Sequence, residues 1–180
     1  SDVFIGRCWA HLNNTPFRKY KHYNHEGGIA TPLIAHWPAA VKPRTGKDDW
    51  ITTPSHLIDI MASCVDIAAA TYPESHNGQP IIGQSLRPLL TGEGSFAYRP
   101  LYWEHEGNAA IRVQDRKLVR DGLRGKWELF DMKTDRTEQH NLANENPDEV
   151  QELKKQWQAW ARSSGVIPRP EANKRKKKSK

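Results

Sequence analysis

Cysteine is scarce: the 180 residues hold two, Cys8 and Cys64. Two thiols cannot build the disulfide framework of a small secreted scaffold, and they leave the redox compartment open. Long apolar runs are missing too. None approaches the ~20 residues that a membrane-spanning helix needs, so no membrane partner is expected. The chain opens on Ser1 with no charged, apolar and small-residue leader pattern. Hydrophobic residues make up 37%, which is low for a self-sufficient globule and fits a piece of a larger one. The body also lacks a charge of one sign. Six of the 27 Lys and Arg lie in residues 174–180, which leaves 21 basic against 21 acidic residues, so the net charge of +6 is a property of the tail. Such like-charge blocks are usually solvated and disordered. Clustered lysines also favour polyanions by counterion release. No aromatic stands in the tail to stack a base, and no nucleic-acid partner is expected.

What the chain does have is concentrated in Asn14–Gly28. Three cationic residues (Arg18, Lys19, Lys21), three aromatics, His22, His25 and Glu26 precede Gly27-Gly28 there. The glycine pair admits left-handed or crowded backbone closed to other residues. The following run, Pro32 to Trp37, reads as a buried strand. A basic loop on the edge of a rigid sheet is a common place for binding groups. Lys21 is the expected fixed cation for an anionic group. Glu26 can cap backbone N–H groups or pair with Arg18. His22 and His25 can donate to a substrate or be satisfied structural residues, and imidazoles exchange protons near neutral pH.

The rest divides by its punctuation. Thr53 and Pro54 suit the N-cap and first position of a helix. Leu57, Ile60, Met61, Cys64, Ile67 and Ala68 then fall at helical spacing, which puts Cys64 on a buried stripe and leaves Asp59 and Asp66 solvated. Residues 71–99 read as a connection with one packed turn at Gln84–Leu90, and a domain boundary is expected near residue 92. Leu101–Glu106, Ala109–Gln114, Lys117–Arg120 and Trp127–Met132 read as four strands of an antiparallel meander. Asn146, Pro147 and Glu149 open a last helix with a capping-box pattern. Its apolar face is Val150, Leu153, Trp157 and Trp160, and Gly165 ends it. His105 stands at a turn, where it can reach a substrate or simply close a hairpin. Glu104-His105-Glu106 along a strand alternates between faces and cannot converge on one ion, so no metal site is expected.

Asn-Thr-Pro-Phe-Arg, then Lys21, then His25-Glu-Gly-Gly-Ile-x-Thr-Pro-Leu-Ile-x-His-Trp-Pro resembles the lysine-loop region of formylglycine-dependent sulfatases of the arylsulfatase type. The resemblance runs on to about residue 165 through Trp103–Asn108, Trp127–Met132 and Asp135–Leu142. It implies an α/β fold: residues 1–92 as the C-terminal piece of an alkaline-phosphatase-like catalytic core, and residues 93–168 as a small α+β subdomain with a four-stranded antiparallel sheet and a C-terminal helix. A basic tail, 169–180, follows. Lys21, five residues before Glu26, corresponds to the family lysine that contacts sulfate. His25, His22 and His105 become candidate substrate contacts, with Glu26 and Arg18 supporting them. The family nucleophile, a Cys or Ser in C/S-x-P/A-S-R, is not found at Cys8 or Cys64, and neither are the metal-binding aspartates. The expectation is therefore the C-terminal part of a sulfuric ester hydrolase. Calcium and formylglycine are expected in the full-length enzyme, none bound by this fragment. A sulfated small molecule or polysaccharide is the implied substrate, and the periplasm or exterior the implied location. A non-catalytic polyanion-binding fragment and a phosphate-ester hydrolase of the same superfold are the alternatives.

Overall fold

The computed structural model describes residues 6–41, 50–73 and 80–166. The elements run α1 (Gly6–Leu12), α2 (Glu26–Ile29), α3 (Ile58–Ile67), α4 (Arg87–Thr91), β1 (Leu101–His105), β2 (Asn108–Val113), β3 (Arg116–Arg120), β4 (Trp127–Asp131) and α5 (Pro147–Ser163). They form two compact units. One joins the residues up to Thr31 with those from Arg99 onward, and the other is Pro32–Tyr98. The sequence-based boundary near residue 92 groups the lysine loop differently, with the segment that follows it.

In the first unit the four strands pair antiparallel in the order β1-β2-β3-β4. This is the expected meander. β1 turns into β2 through Glu106 (φ 52°) and Gly107 (φ 89°), with His105 opposite Asn108. Two left-handed residues in a two-residue loop match the right-handed twist of the strands they join. Period-two alternation then gives the sheet two different faces. Ala109, Ile111, Leu118 and Leu129 point to one side and pack on Val150, Leu153, Trp157 and Ala161 of α5. Tyr102 stacks on Trp160 with ring centroids 5.0 Å apart, and the Trp157 indole N–H donates to the Trp103 carbonyl at 3.1 Å. Ala110, Val119, Phe130 and Met132 form a smaller cluster on the opposite side, which also carries Lys117 and Glu128. The capping box at α5 does not form. Asn146 donates to the Leu142 carbonyl instead, and Glu149 pairs with Arg116 at 3.2 Å.

The second unit corrects several expectations. Pro32–Trp37 forms no strand, and Ile34 is 90% exposed. A strand needs a neighbour for its backbone groups, and none pairs with this run among the described residues. The helix predicted from Thr53 begins at Ile58, and its orientation is reversed. Asp59 is fully buried, while Leu57, Ile60, Met61 and Ile67 are exposed and so is Cys64. The physical reason is hydrogen bonding. Buried backbone N–H groups require acceptors. Asp59 accepts from the amides of His56 at 2.8 Å and Gln84 at 2.9 Å. Ser63 Oγ accepts from Leu86 N at 2.8 Å while donating to the Asp59 carbonyl. These bonds dock the segment before α4 against the polar side of α3. Asp66 is exposed, as expected, and contacts Ser85 and Arg87.

Candidate functional site

The lysine loop lies on the face of the sheet opposite α5, and ionic contacts fix it there. Lys117 of β3 is fully buried, with its Nζ 2.8 Å from both Glu26 Oε1 and Glu138 Oε1. The other oxygen of Glu138 accepts from the Glu26 backbone N–H at 3.0 Å, and Arg136 approaches Glu26 at 3.6 Å. Burial acts to raise the Glu26 carboxyl, but Lys117, with Arg112 and Arg136, holds it below its ordinary value of 4.5. The main partner of Glu26 is therefore Lys117, not the Arg18 expected from the sequence. Arg18 donates to the Glu138 carbonyl at 2.7 Å and lies over the Phe130 ring, 3.6 Å from Glu128. Lys19 bonds Asp121 at 2.6 Å.

The glycine pair is required by crowding, not by a left-handed φ. A Cβ on Gly27 would overlap the carbonyls of Arg18 and Lys19, and one on Gly28 the carbonyl of Tyr23. Left-handed backbone occurs instead at Lys19 (φ 67°) and His22 (φ 86°), on either side of Tyr20-Lys21. Non-glycine residues held so carry strain and cluster at functional sites. Lys21 is exposed and forms no ion pair or hydrogen bond among the described residues, unlike Arg18, Lys19 and Lys117.

His25 is fully enclosed. Its Nε2 donates to Glu128 Oε2 at 2.9 Å. That bond is the largest influence on the Glu128 carboxyl and, with Arg18 and Lys19, holds it low against burial. The other ring nitrogen lies 3.3 Å from Asp121 Oδ1 but is not aligned for a hydrogen bond. The ring expected as a substrate contact is thus enclosed between two carboxylates.

His22 and His105 are brought together across 83 residues of chain. Their rings stack at 5.4 Å, with His105 Nε2 3.3 Å from His22 Nδ1. Glu106 Oε2 lies 3.2 Å from the same His22 nitrogen. The alternation argument against a metal holds for Glu104, whose carboxylate accepts from the Gly107 amide. It fails for Glu106, because the strand ends at His105 and the turn swings Glu106 round. Lys117, Glu138, Asn108, Glu128 and Asp121 were missed in the sequence. Their signal was slight: a lysine inside the apolar run of β3, and Glu138 within Asp135–Leu142.

Residues 17–162 match the family described as N-sulphoglucosamine sulphohydrolase, C-terminal, and the chain belongs to that family. It is 28% identical over 183 residues to an uncharacterized sulfatase of Schizosaccharomyces pombe, covering 95% of this chain and 32% of the relative. An ulvan-active sulfatase of Formosa agariphila is 25% identical over 181 residues, with 78% and 34% covered. The fold matches a Bacteroides thetaiotaomicron structure concerned with glycosaminoglycan metabolism, at TM-score 0.63 and 23% identity, over 80% of this chain and 32% of that one. The crystal structure of Ps i-CgsB gives TM-score 0.64 at 22% identity, with 82% and 32% covered. The chain spans about a third of the length of these curated relatives. The α/β class and the sulfatase C-terminal assignment are thus established.

Proposed function

We propose that the protein acts in sulfuric ester hydrolysis and that Lys21 supplies the cation that holds the sulfate. The observation that carries this is the contrast within one loop. Arg18 and Lys19 are tied to carboxylates, whereas Lys21 is exposed on a backbone kinked by two left-handed residues. Sulfate ester cleavage builds charge on the sulfonyl and bridging oxygens, and a fixed ammonium aimed at them lowers the barrier. A compact ammonium suits a tetrahedral anion. His22 and His105 lie close in sequence or space to this loop and complete the binding face. His25, Glu26 and Arg18 hold it in place.

In this reading formylglycine would be the nucleophile and calcium would offset sulfate charge, the first formed on and the second held by residues other than these. The described residues do not fit calcium. Their one candidate ligand group pairs two imidazoles with a single carboxylate, and calcium takes oxygen ligands. A relative named for activity on ulvan supports a sulfated polysaccharide as substrate and a site of action outside the cytoplasm. No helix among the described residues is long and apolar enough to cross a membrane.

The 180-residue chain alone is expected to show no turnover of 4-nitrophenyl sulfate. In a protein that also carries the C/S-x-P/A-S-R element, Lys21→Ala should lower kcat by about 100- to 1,000-fold, and Lys21→Arg should restore little of it. Turnover by the chain alone would contradict the placing of the nucleophile and metal ligands outside it, and full activity in Lys21→Ala would contradict the role proposed for that lysine.

A further inference from the structure

We infer that His22, His105 and Glu106 form a binding site for a divalent transition-metal ion of the zinc class. Each offers one ligand atom, and the three atoms lie within 4.8 Å of one another. Two bonds of about 2.0–2.2 Å at a tetrahedral angle place neighbouring ligand atoms roughly 3.3–3.6 Å apart. The observed spacings at His22 Nδ1 are 3.3 Å to His105 Nε2 and 3.2 Å to Glu106 Oε2. A single hydrogen bond can serve only one of the two contacts made at His22 Nδ1. One imidazole nitrogen carries at most one proton, yet His22 Nδ1 faces a carboxylate oxygen and a second ring nitrogen together. A cation at the common point satisfies all three lone pairs.

The surroundings hold the ligands in register. The buried Asn108 side chain donates to the His22 carbonyl at 2.6 Å and to the His105 carbonyl at 3.0 Å. Its own oxygen accepts from Gly122 N at 2.8 Å, so it cannot turn. One amide therefore fixes both histidine backbones, the kind of outer support on which metal affinity depends. His22 (φ 86°) and Glu106 (φ 52°) are both left-handed. Such backbone is retained where surrounding contacts enforce it.

Two imidazoles and one carboxylate select zinc, nickel or copper over calcium and magnesium. Three protein ligands leave one tetrahedral position open to water or an oxyanion. The site stands whether or not Lys21 meets a sulfate.

The test is calorimetric titration of the 180-residue chain with Zn²⁺ at pH 7.5, in a Cys8→Ser/Cys64→Ser background that removes the exposed thiols. One ion per chain is expected, with Co²⁺ giving an intense visible spectrum that Zn²⁺ abolishes, and no binding of Ca²⁺. His22→Gln, His105→Gln and Glu106→Gln should each weaken binding at least about 10-fold, and His140→Gln should leave it unchanged. Asn108→Ala should weaken it about 10- to 100-fold with every ligand kept. Circular dichroism establishes that each variant is folded; the three ligands are exposed, and Glu106→Gln changes only one side-chain group. Absence of Zn²⁺ binding in the parent chain, binding that survives both His22→Gln and Glu106→Gln, or a preference for Ca²⁺ would overturn the assignment.

Discussion

Lys117 shows how much one side chain can decide. Its ammonium is fully buried between Glu26 and Glu138, so one strand residue joins the lysine loop to the turn before α5. Removing one partner of a buried ionic group is strongly destabilising, since it leaves charge uncompensated. Lys117→Met should therefore cost about 3–5 kcal/mol at pH 7, measured by urea denaturation. The pH dependence checks the cause. In the parent protein the Glu26 carboxyl is held below 4.5, and Glu128 is lowered likewise. The unfolded chain takes up their protons first, so this stability is full above about pH 4.5 and is lost as pH falls through the folded values. In Lys117→Met burial acts on Glu26 against Arg112 and Arg136 alone, so the carboxyl is lowered less and contributes less stability. The deficit relative to the parent should narrow as pH falls below about 4.5, where the parent loses that contribution. A deficit that stays constant or widens would show that packing, not charge, is what Lys117 supplies. Sequence reasoning named Glu26 as a supporting residue but paired it with Arg18. Lys117 is 91 positions away from Glu26, and no local pattern encodes that pairing.

Among the elements, the meander and α5 were legible in the sequence because each carries its own period. Alternation in β2 and β3 and the spacing of Val150, Leu153 and Trp157 specify which faces are apolar before any contact is known. Leu153 is 4% exposed in the resulting core. Leu153→Ala should cost about 2–5 kcal/mol by loss of transfer energy and the cavity left behind. A thermal or urea midpoint unchanged within error would mean that α5 contributes little to the sheet. α3 was legible as a helix and misread as to its face. Its apolar stripe is real, but an amphipathic pattern reports only which side prefers burial, not whether a partner is present. Asp59 and Ser63 won the buried side because the amides of Gln84 and Leu86 needed acceptors. The strand expected at Pro32–Trp37 failed for a related reason: extended backbone becomes a strand only where another chain segment takes up its hydrogen bonds.

At the scale of the molecule, the two units differ in what covers their apolar residues. The first has cores on both faces of its sheet, whereas the second leaves Ile34, Leu57, Met61 and Ile82 exposed. Regions with few buried apolar contacts open at low free energy. Amides of α3 in the 180-residue chain should exchange with solvent well before those of β2 and β3. Equal protection in a hydrogen-exchange time course would refute that ordering. The sequence by itself determined the sulfatase family, the four strands, the last helix and Lys21 as the cation to examine, because motif spacing and hydrophobic period are local properties of the chain. Only the tertiary structure decided that Lys117 and Glu138 anchor the loop, that His25 is enclosed, and that His22 meets His105 and Glu106. Those pairings join residues 80 or more positions apart, and their energies come from burial and distance, quantities that exist only once the chain has folded.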